Sequence, residues 1–460
     1  MTYKIDFSHP VYVHFIGIGG ISMSGLAAIL LREGFRVSGS DSKASGLTAW
    51  LQDQGARICI GQSAENLDPD LDLIVYTAAI HPDNPEFAAA VSSKVPMLTR
   101  AQLLGQIMDN YPMSTAVAGT HRKTTTTSML SHIALQAGLD PTISVGGILK
   151  SIGGNIRVGS SGNFLTEACE YTNSFLSLSP RIGIILNIDA DHLDFFKDLD
   201  DIRASFRKFA QLIKPDGVLV ISGDVPDLEG FTRGLSCRIV TFGTKDSMYR
   251  PENICFDDEG AGSFDLMRED ACLGRITLKV PGMHNITNAC AAAAAAEAFG
   301  AGFEDIAAGL ASFTGTDRRF ERKGERGGVT VIDDYAHHPT EIAATLNAAH
   351  NYPHSKIWCV FQPHTYSRTH ALLNEFAEAL CGADHVILAE IYAAREVNTL
   401  GISSKDVADR ILERGTDAHY YPTFEEITAF LRSQVQPGDL LLTMGAGDVY
   451  KVGEAFLADQ

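Results

Sequence analysis

The chain has 460 residues, 45% of them hydrophobic and 20% charged, which predicts a soluble globular protein of about three domains. A formal net charge of −19 excludes a general nucleic-acid or anionic-membrane surface, though not a local basic pocket for small anions. The eight cysteines are scattered without a CxxC pair, so reduced, buried thiols in a cytoplasmic protein are expected, not a disulfide frame or zinc site. The N-terminal stretch carries no signal-like apolar core. The Ala-rich run 289–296 stops at Glu297 and is too short to span a bilayer. It is expected to be a tightly packed core helix.

Residues 1–112 form the first α/β unit. Val11–Ile18 is a strand, Ile21–Glu33 a helix, Phe35–Ser40 a strand that ends at Asp41, and Leu73–Tyr76 a further buried strand. Gly17, Gly19 and Gly20 occupy the first strand-to-helix turn, with an acid about 20 residues on, as in dinucleotide-binding folds. The third fingerprint position is Ser22 instead of Gly or Ala. The turn suits a diphosphate, and NAD is only one candidate.

A boundary at Tyr111-Pro112 opens a second unit, 113–316. Its strand Ala116–Ala118 runs into Gly119-Thr120-His121-Arg122-Lys123-Thr124-Thr125 and then a helix. Strand, glycine turn, Lys-Thr and helix is how a chain wraps a nucleoside triphosphate: backbone N–H groups hold phosphate, Lys reaches the terminal phosphates and Thr reaches Mg²⁺. The pattern asks for Gly directly before the Lys, and Arg122 stands there. Asn163–Ala168 and Ile182–Ile188 are strand-like runs; Glu167 and Glu170 follow the first, and Asn187, Asp189, Asp191 and His192 the second. With Lys123-Thr124 these offer carboxylate, imidazole and hydroxyl around one Mg²⁺ beside a triphosphate. Asn253–Lys279 reads as an antiparallel patch and Asn285–Ala298 as a helix. Gly315–Arg319 is a hinge.

Residues 317–460 alternate strands (Val329–Ile332, Ile357–Phe361, His385–Ala389, Asp439–Thr443) with helices (340–350, 369–380, 404–413, 424–433, 448–457), which predicts a parallel sheet with crossover helices. Polar clusters follow the strands: Asp333 to Pro339, Gln362 to Arg368, and Tyr392 to Glu396. Adjacent His337 and His338 point in different directions, which favours hydrogen bonding over zinc. Arg368 and Arg395 suit a carboxylate or phosphate.

The blocks HFIGIGGISMSGLA (14–27), AGTHRKTTTTSML (118–130), EACEYTNSFL (167–176), NIDADHLDFF (187–196), GMHNITNACAAAA (282–294), GTDRRFE (315–321), DDYAHHPTEI (333–342), FQPHTYSRT (361–369) and YAAREVN (392–398) stand in the order found in the Mur ligases of bacterial cell-wall synthesis, which the whole chain resembles. The resemblance implies a three-domain α/β enzyme: a Rossmann-like N-terminal domain, a central P-loop-type ATPase domain and a Rossmann-like C-terminal domain. It implies ATP and Mg²⁺ as cofactors, UDP-N-acetylmuramate and L-alanine as substrates, a cytoplasmic location, and a monomer or homodimer without nucleic-acid or membrane partners. On this resemblance Gly17, Gly19, Gly20, Ser22 and Asp41 face the uridine diphosphate. Gly119 to Thr125, Asn187, Asn288, Arg319 and Asp334 bind ATP, Lys123 on its β- and γ-phosphates. Thr124 and Glu170 hold magnesium, and His192 a second magnesium. Tyr335, His337, His364 and Arg368 line the alanine site, with His337 as candidate base. Thr365 stands where many relatives carry Arg.

Overall fold

The structure is a computed structural model that describes residues 3–77, 80–193, 195–394 and 396–458. By internal contacts the chain divides into two compact units, Met1–Ile188 with Arg203–Thr241 and Ala293–Asp305, and Asp189–Ile202 with Phe242–Ala292 and Ile306–Gln460.

The first unit holds an all-parallel sheet in the order Arg57–Ile60, Arg36–Asp41, Tyr12–Ile16, Leu73–Tyr76, Met97–Thr99. Its central strand is fully buried, as a parallel strand covered by helices on both faces must be. Six further neighbouring strands of this unit run in the order Val218–Ser222, Ile182–Ile185, Met113–Ala118, Asn163–Ala168, Thr142–Leu149, Gly154–Arg157. All these pairings are parallel except the last. Met113–Ala118 and Asn163–Ala168 pair residue for residue, Ala118 opposite Ala168, so the loops leaving the two strands emerge at the same edge.

The second unit contains the antiparallel meander Tyr249–Phe256, Ala261–Arg268, Ala271–Pro281, as the turn-rich stretch predicted. Its other sheet runs Glu321–Arg326, Val329–Asp334, Leu440–Met444, Ile357–Phe361, His385–Leu388, Asp417–Tyr420, parallel but for the first pair. Successive side chains of a strand point to opposite faces, and the core divides accordingly. Ile332, Cys359, Phe361, Leu440 and Leu442 pack with Ile342, Leu346, Phe376, Leu380 and Ile411 on one face. Val331, Trp358, Val360 and Leu441 pack with Ile427, Leu431, Val452 and Phe456 on the other. Such two-sided burial requires continuous apolar strands, which is why Ile357–Phe361 was legible to the residue.

The Ala-rich helix Met283–Ala298 is a core helix, with Ala289 to Ala293 at 0% exposure. The expected helix 369–380 is two helices, Tyr366–Ala371 and Leu373–Leu380, divided at Leu372. The cysteines are free, as expected, but only Cys237, Cys290 and Cys359 are buried, while Cys169, Cys255 and Cys272 are exposed, so the expectation of buried thiols is corrected for the rest. Among the described residues no helix is long and apolar enough to cross a membrane.

One close approach bears on the site. Gly105, in helix Arg100–Met108, lies against the backbone of Ser177, and a Cβ there would overlap the Ser177 carbonyl oxygen. Ser177 ends the turn Tyr171–Ser177 that comes directly after Glu170. Overpacking against backbone costs about 1–3 kcal/mol or more. Gly105→Ala is therefore expected to lower unfolding free energy by at least that amount in urea titration, and an unchanged midpoint would contradict this packing.

Candidate functional site

The buried strand Met113–Ala118 delivers the chain to Gly119, whose φ is 152° and whose Cβ, if present, would sit 2.9 Å from Leu186 Cβ. Glycine is required there. The chain then turns into helix Lys123–Gln136 through Arg122, which is left-handed at φ 68°, ψ 12°. Left-handed backbone costs a side-chain-bearing residue about 1–2 kcal/mol, and this explains why the pattern asks for Gly. The helix start has no acidic residue and no side-chain cap, an arrangement that favours an anion. Thr124 and Thr125 are buried in its first turn.

Lys123 Nζ donates to Gly119 O (2.6 Å), Thr120 O (3.1 Å) and Glu170 Oε2 (2.7 Å). Glu170 reaches it because its strand is the parallel neighbour of the loop's strand. Burial alone would lower the Lys123 ammonium, but Glu170 outweighs it and the pKa is raised. The lysine is a fixed cation. Asn187 accepts from His121 N–H (2.8 Å) and donates to His121 O (3.2 Å). Both polar ends of its side chain hold the loop, so its contribution is support of the loop.

At the first sheet, Gly17 has φ 85°. Gly20 starts helix Ile21–Arg32 without a side-chain cap. Gly19 N–H donates to Asp41 Oδ2 at 2.9 Å, so Asp41 braces the turn itself. Ser22 Oγ accepts from Arg100 Nη1 at 3.1 Å. Arg100, which sequence reasoning missed, brings a cation to the glycine turn. Its signal was an Arg directly after the short strand Met97–Thr99.

His192, Asn288, Arg319, Asp334, Tyr335, His337, His364 and Arg368 all belong to the second unit. Asn288 is buried and donates to Asn285 Oδ1 (3.3 Å). Asp334 accepts from Phe320 N–H and Ala336 N–H, both 2.7 Å, and burial raises its carboxyl to about 6 against the pull of Arg319. Both its oxygens are engaged by backbone. Arg319 lies 3.8 Å from Glu341, and its guanidinium sits 5.1 Å from the Tyr335 ring centre. His338 donates through Nε2 to Ala190 O (3.0 Å), and its Nδ1 accepts from Thr340 N–H.

His337 meets the ring of Tyr335 at 5.4 Å, and contacts run on from it through His364 and Arg368 to Asp191. His337 Nδ1 lies 3.0 Å from Tyr335 O. A carbonyl only accepts, so Nδ1 carries the proton and Nε2 the lone pair. Arg368 donates through Nη1 to His364 Nδ1 (3.1 Å) and through Nε and Nη2 to Asp191 Oδ1 (3.1 and 3.0 Å). His364 stacks on Tyr392 at 5.6 Å and meets His337 at 6.0 Å. Thr365 adopts φ 67°, and its hydroxyl caps the next helix at Arg368 N–H. Glu396 fixes that helix start through Ser367 N–H (2.9 Å) and the Ser367 hydroxyl. Burial pushes the Asp191 carboxyl up, but the groups around it, the Arg368 guanidinium foremost, together hold it below the usual range. Arg395 lies outside the described residues. Asp191, expected among the carboxylates near Mg²⁺, is instead paired with Arg368; Tyr392 and Glu396 come from the expected strand-end cluster, and Glu341 had been given no role from sequence.

Burial pushes the His337 imidazole down to about 4, with Glu341 opposing and Arg368 assisting. Burial and Arg368 push His364 to about 4 as well. Both rings are neutral at pH 7. Their unfolded counterparts titrate near 6.5, so the unfolded chain takes up protons first as pH falls. The stability is complete above 6.5 and is lost toward pH 4. His337→Gln is expected to reduce that acid destabilisation, measured as urea midpoints at pH 7 and pH 5; identical pH dependence in both proteins would refute it. Arg122→Gly should remove the left-handed cost, raising unfolding free energy by about 1–2 kcal/mol and lowering the ATP KM or raising turnover. Equal stability and kinetics in the two forms would refute it.

Three family models match consecutive parts of the chain: "Mur ligase family, catalytic domain" over residues 12–112, "Mur ligase middle domain" over 117–296 and "Mur ligase, glutamate ligase domain" over 318–447. A protein of Agathobacter rectalis named UDP-N-acetylmuramate–L-alanine ligase is 60% identical over 99% of both chains. The crystal structure of a UDP-N-acetylmuramate-alanine ligase from Thermotoga maritima superposes with a TM-score of 0.79 at 30% identity, covering 97% of this chain and 98% of that one. A murein peptide ligase from Psychrobacter arcticus shares the fold, with a TM-score of 0.69 at 24% identity over 97% and 98%. With three consecutive domain matches and full-length identity of this order, the chain belongs to the Mur ligase family.

Proposed function

We propose that the protein joins L-alanine to the lactyl carboxylate of UDP-N-acetylmuramate, converting ATP to ADP and phosphate, in the cytoplasmic synthesis of peptidoglycan precursor. The full-length likeness to ligases of that name carries the proposal, and the Lys123–Glu170 loop supplies the chemistry it needs. Residues 1–112 receive the UDP end, 113–316 the ATP and 317–460 the amino acid.

A carboxylate is a poor electrophile. Transfer of the γ-phosphoryl group to it makes an acyl phosphate, whose leaving group is phosphate. Crowded anionic oxygens must be neutralised as charge redistributes. Lys123 is a permanent cation for that purpose, and the uncapped helix start behind it offers backbone N–H groups. Thr124, in the first turn of helix Lys123–Gln136, and Glu170, just past the neighbouring strand Asn163–Ala168, are hard oxygen donors, which fits Mg²⁺; His192 is assigned to a second ion. Among the described residues no group of three His, Cys, Asp or Glu side chains is placed to hold a metal ion. Bound Mg²⁺ would supply charge neutralisation. The amine of alanine attacks as the neutral species, and phosphate leaves through a tetrahedral intermediate. His337 presents an unprotonated Nε2, but burial makes it a weak base. It orients the amine by accepting a hydrogen bond, and the proton the amine sheds on attack is taken up by the departing phosphate, which leaves as hydrogen phosphate.

The deciding measurement is phosphate release with each substrate omitted in turn. Release should require ATP, UDP-N-acetylmuramate and L-alanine together, and Lys123→Ala should reduce it by about 100-fold or more. Faster turnover with L-Ala-γ-D-Glu-meso-diaminopimelate than with L-alanine would instead assign the protein as a peptide-recycling ligase. Alanine-independent release would overturn both.

A further inference from the structure

Arg368 is held in an asymmetric way. A guanidinium offers five N–H donors in two forks, one side-on through Nε and Nη2 and one end-on through Nη1 and Nη2. Asp191 Oδ1 closes the side-on fork at 3.1 and 3.0 Å. His364 Nδ1 takes one Nη1 donor at 3.1 Å. One donor on each Nη remains. Asp191 is itself fixed: the same Oδ1 accepts from His192 N–H at 2.7 Å, and the preceding carbonyl of Ala190 accepts from His338 Nε2 at 3.0 Å. The carboxylate is 5% exposed and the Arg368 side chain 11%, so water competes little for either.

We infer that Asp191 is a positioning residue for the incoming amino acid: it occupies the side-on fork of Arg368 and leaves the end-on fork to receive the α-carboxylate. The inference rests on the reading of Arg368 as that carboxylate's partner. With one fork filled by a fixed neighbour, the guanidinium plane is set and a carboxylate can pair with it in one orientation only. His364 accepts from Arg368 Nη1 itself, and His337 lies 6.0 Å from His364, so a carboxylate on that fork is received beside imidazoles. Without Asp191 the guanidinium can turn, and either fork competes for the ligand. The loss falls on alanine binding, because the holding contact is made before any substrate arrives.

The experiment is steady-state kinetics of the full chain with the three substrates varied separately. Asp191→Asn keeps an acceptor for His192 N–H and removes the charge that closes the fork. It should raise the L-alanine KM by about 10- to 100-fold, the range for removing a partner that orients a ligand-binding group, while the KM values of ATP and UDP-N-acetylmuramate stay at wild type. Asp191→Glu keeps the charge with a displaced carboxylate and should raise the same KM by less. In an Arg368→Lys background, Asp191→Asn should add little, since the two act as one unit. An alanine KM at the wild-type value in both Asp191 variants overturns the inference, with Arg368→Lys still raising it if the carboxylate assignment is sound. An ATP KM that rises with that of alanine also overturns it, placing Asp191 with the nucleotide through His192. If Arg368→Lys itself leaves the alanine KM unchanged, the carboxylate assignment fails and this inference falls with it.

Discussion

The contact on which the loop between strand Met113–Ala118 and helix Lys123–Gln136 depends is the ion pair between Lys123 and Glu170. It joins the ends of two adjacent parallel strands at 2.7 Å with side chains 15% and 2% exposed. At such burial the Coulombic gain is offset by desolvation, so the pair adds little net stability, but removing either partner strands a charge. The geometry around it obeys that constraint. Gly119 must lack a Cβ to bring its carbonyl under the ammonium, Asn187 must clamp His121, and the turn after Glu170 must sit where Gly105 lets it approach. A loop that would otherwise be mobile is thereby tied to the sheet.

The second cluster uses the opposite electrostatics. Around Arg368 the cation is fixed and the imidazoles are kept neutral by burial and by that same cation. The cluster therefore presents one strong positive charge and no additional one. Asp191 balances Arg368, and His337 and His364 contribute polarity without charge.

Much of the fold was legible because two-sided burial imposes continuous apolar strands. Asn163–Ala168, Ile357–Phe361 and Leu73–Tyr76 appear at the residues expected. Glu321–Arg326 did not, since an edge strand of sequence ERKGER shows no apolar alternation. The break at Leu372 was likewise invisible: neither Gly nor Pro marks it. Of the site, the residues at strand ends could be found from position and chemistry, Lys123, Glu170, Arg368 and His337 among them. Glu396 could not, because its partner Ser367 is distant in sequence; Arg100 carried only the weak signal of an Arg after a short strand, its partner Ser22 lying 78 residues away. Asn187 and Asp41 show the converse limit: position placed them at the site, but only geometry shows that their side chains support the loops.

Lys123 directs all three of its donors into the protein, to the carbonyls of Gly119 and Thr120 and to Glu170. Any group that draws the ammonium away must replace those three hydrogen bonds. The strength of a contact made there is therefore a difference between two sets of bonds, and a single strong charge yields only a moderate attraction.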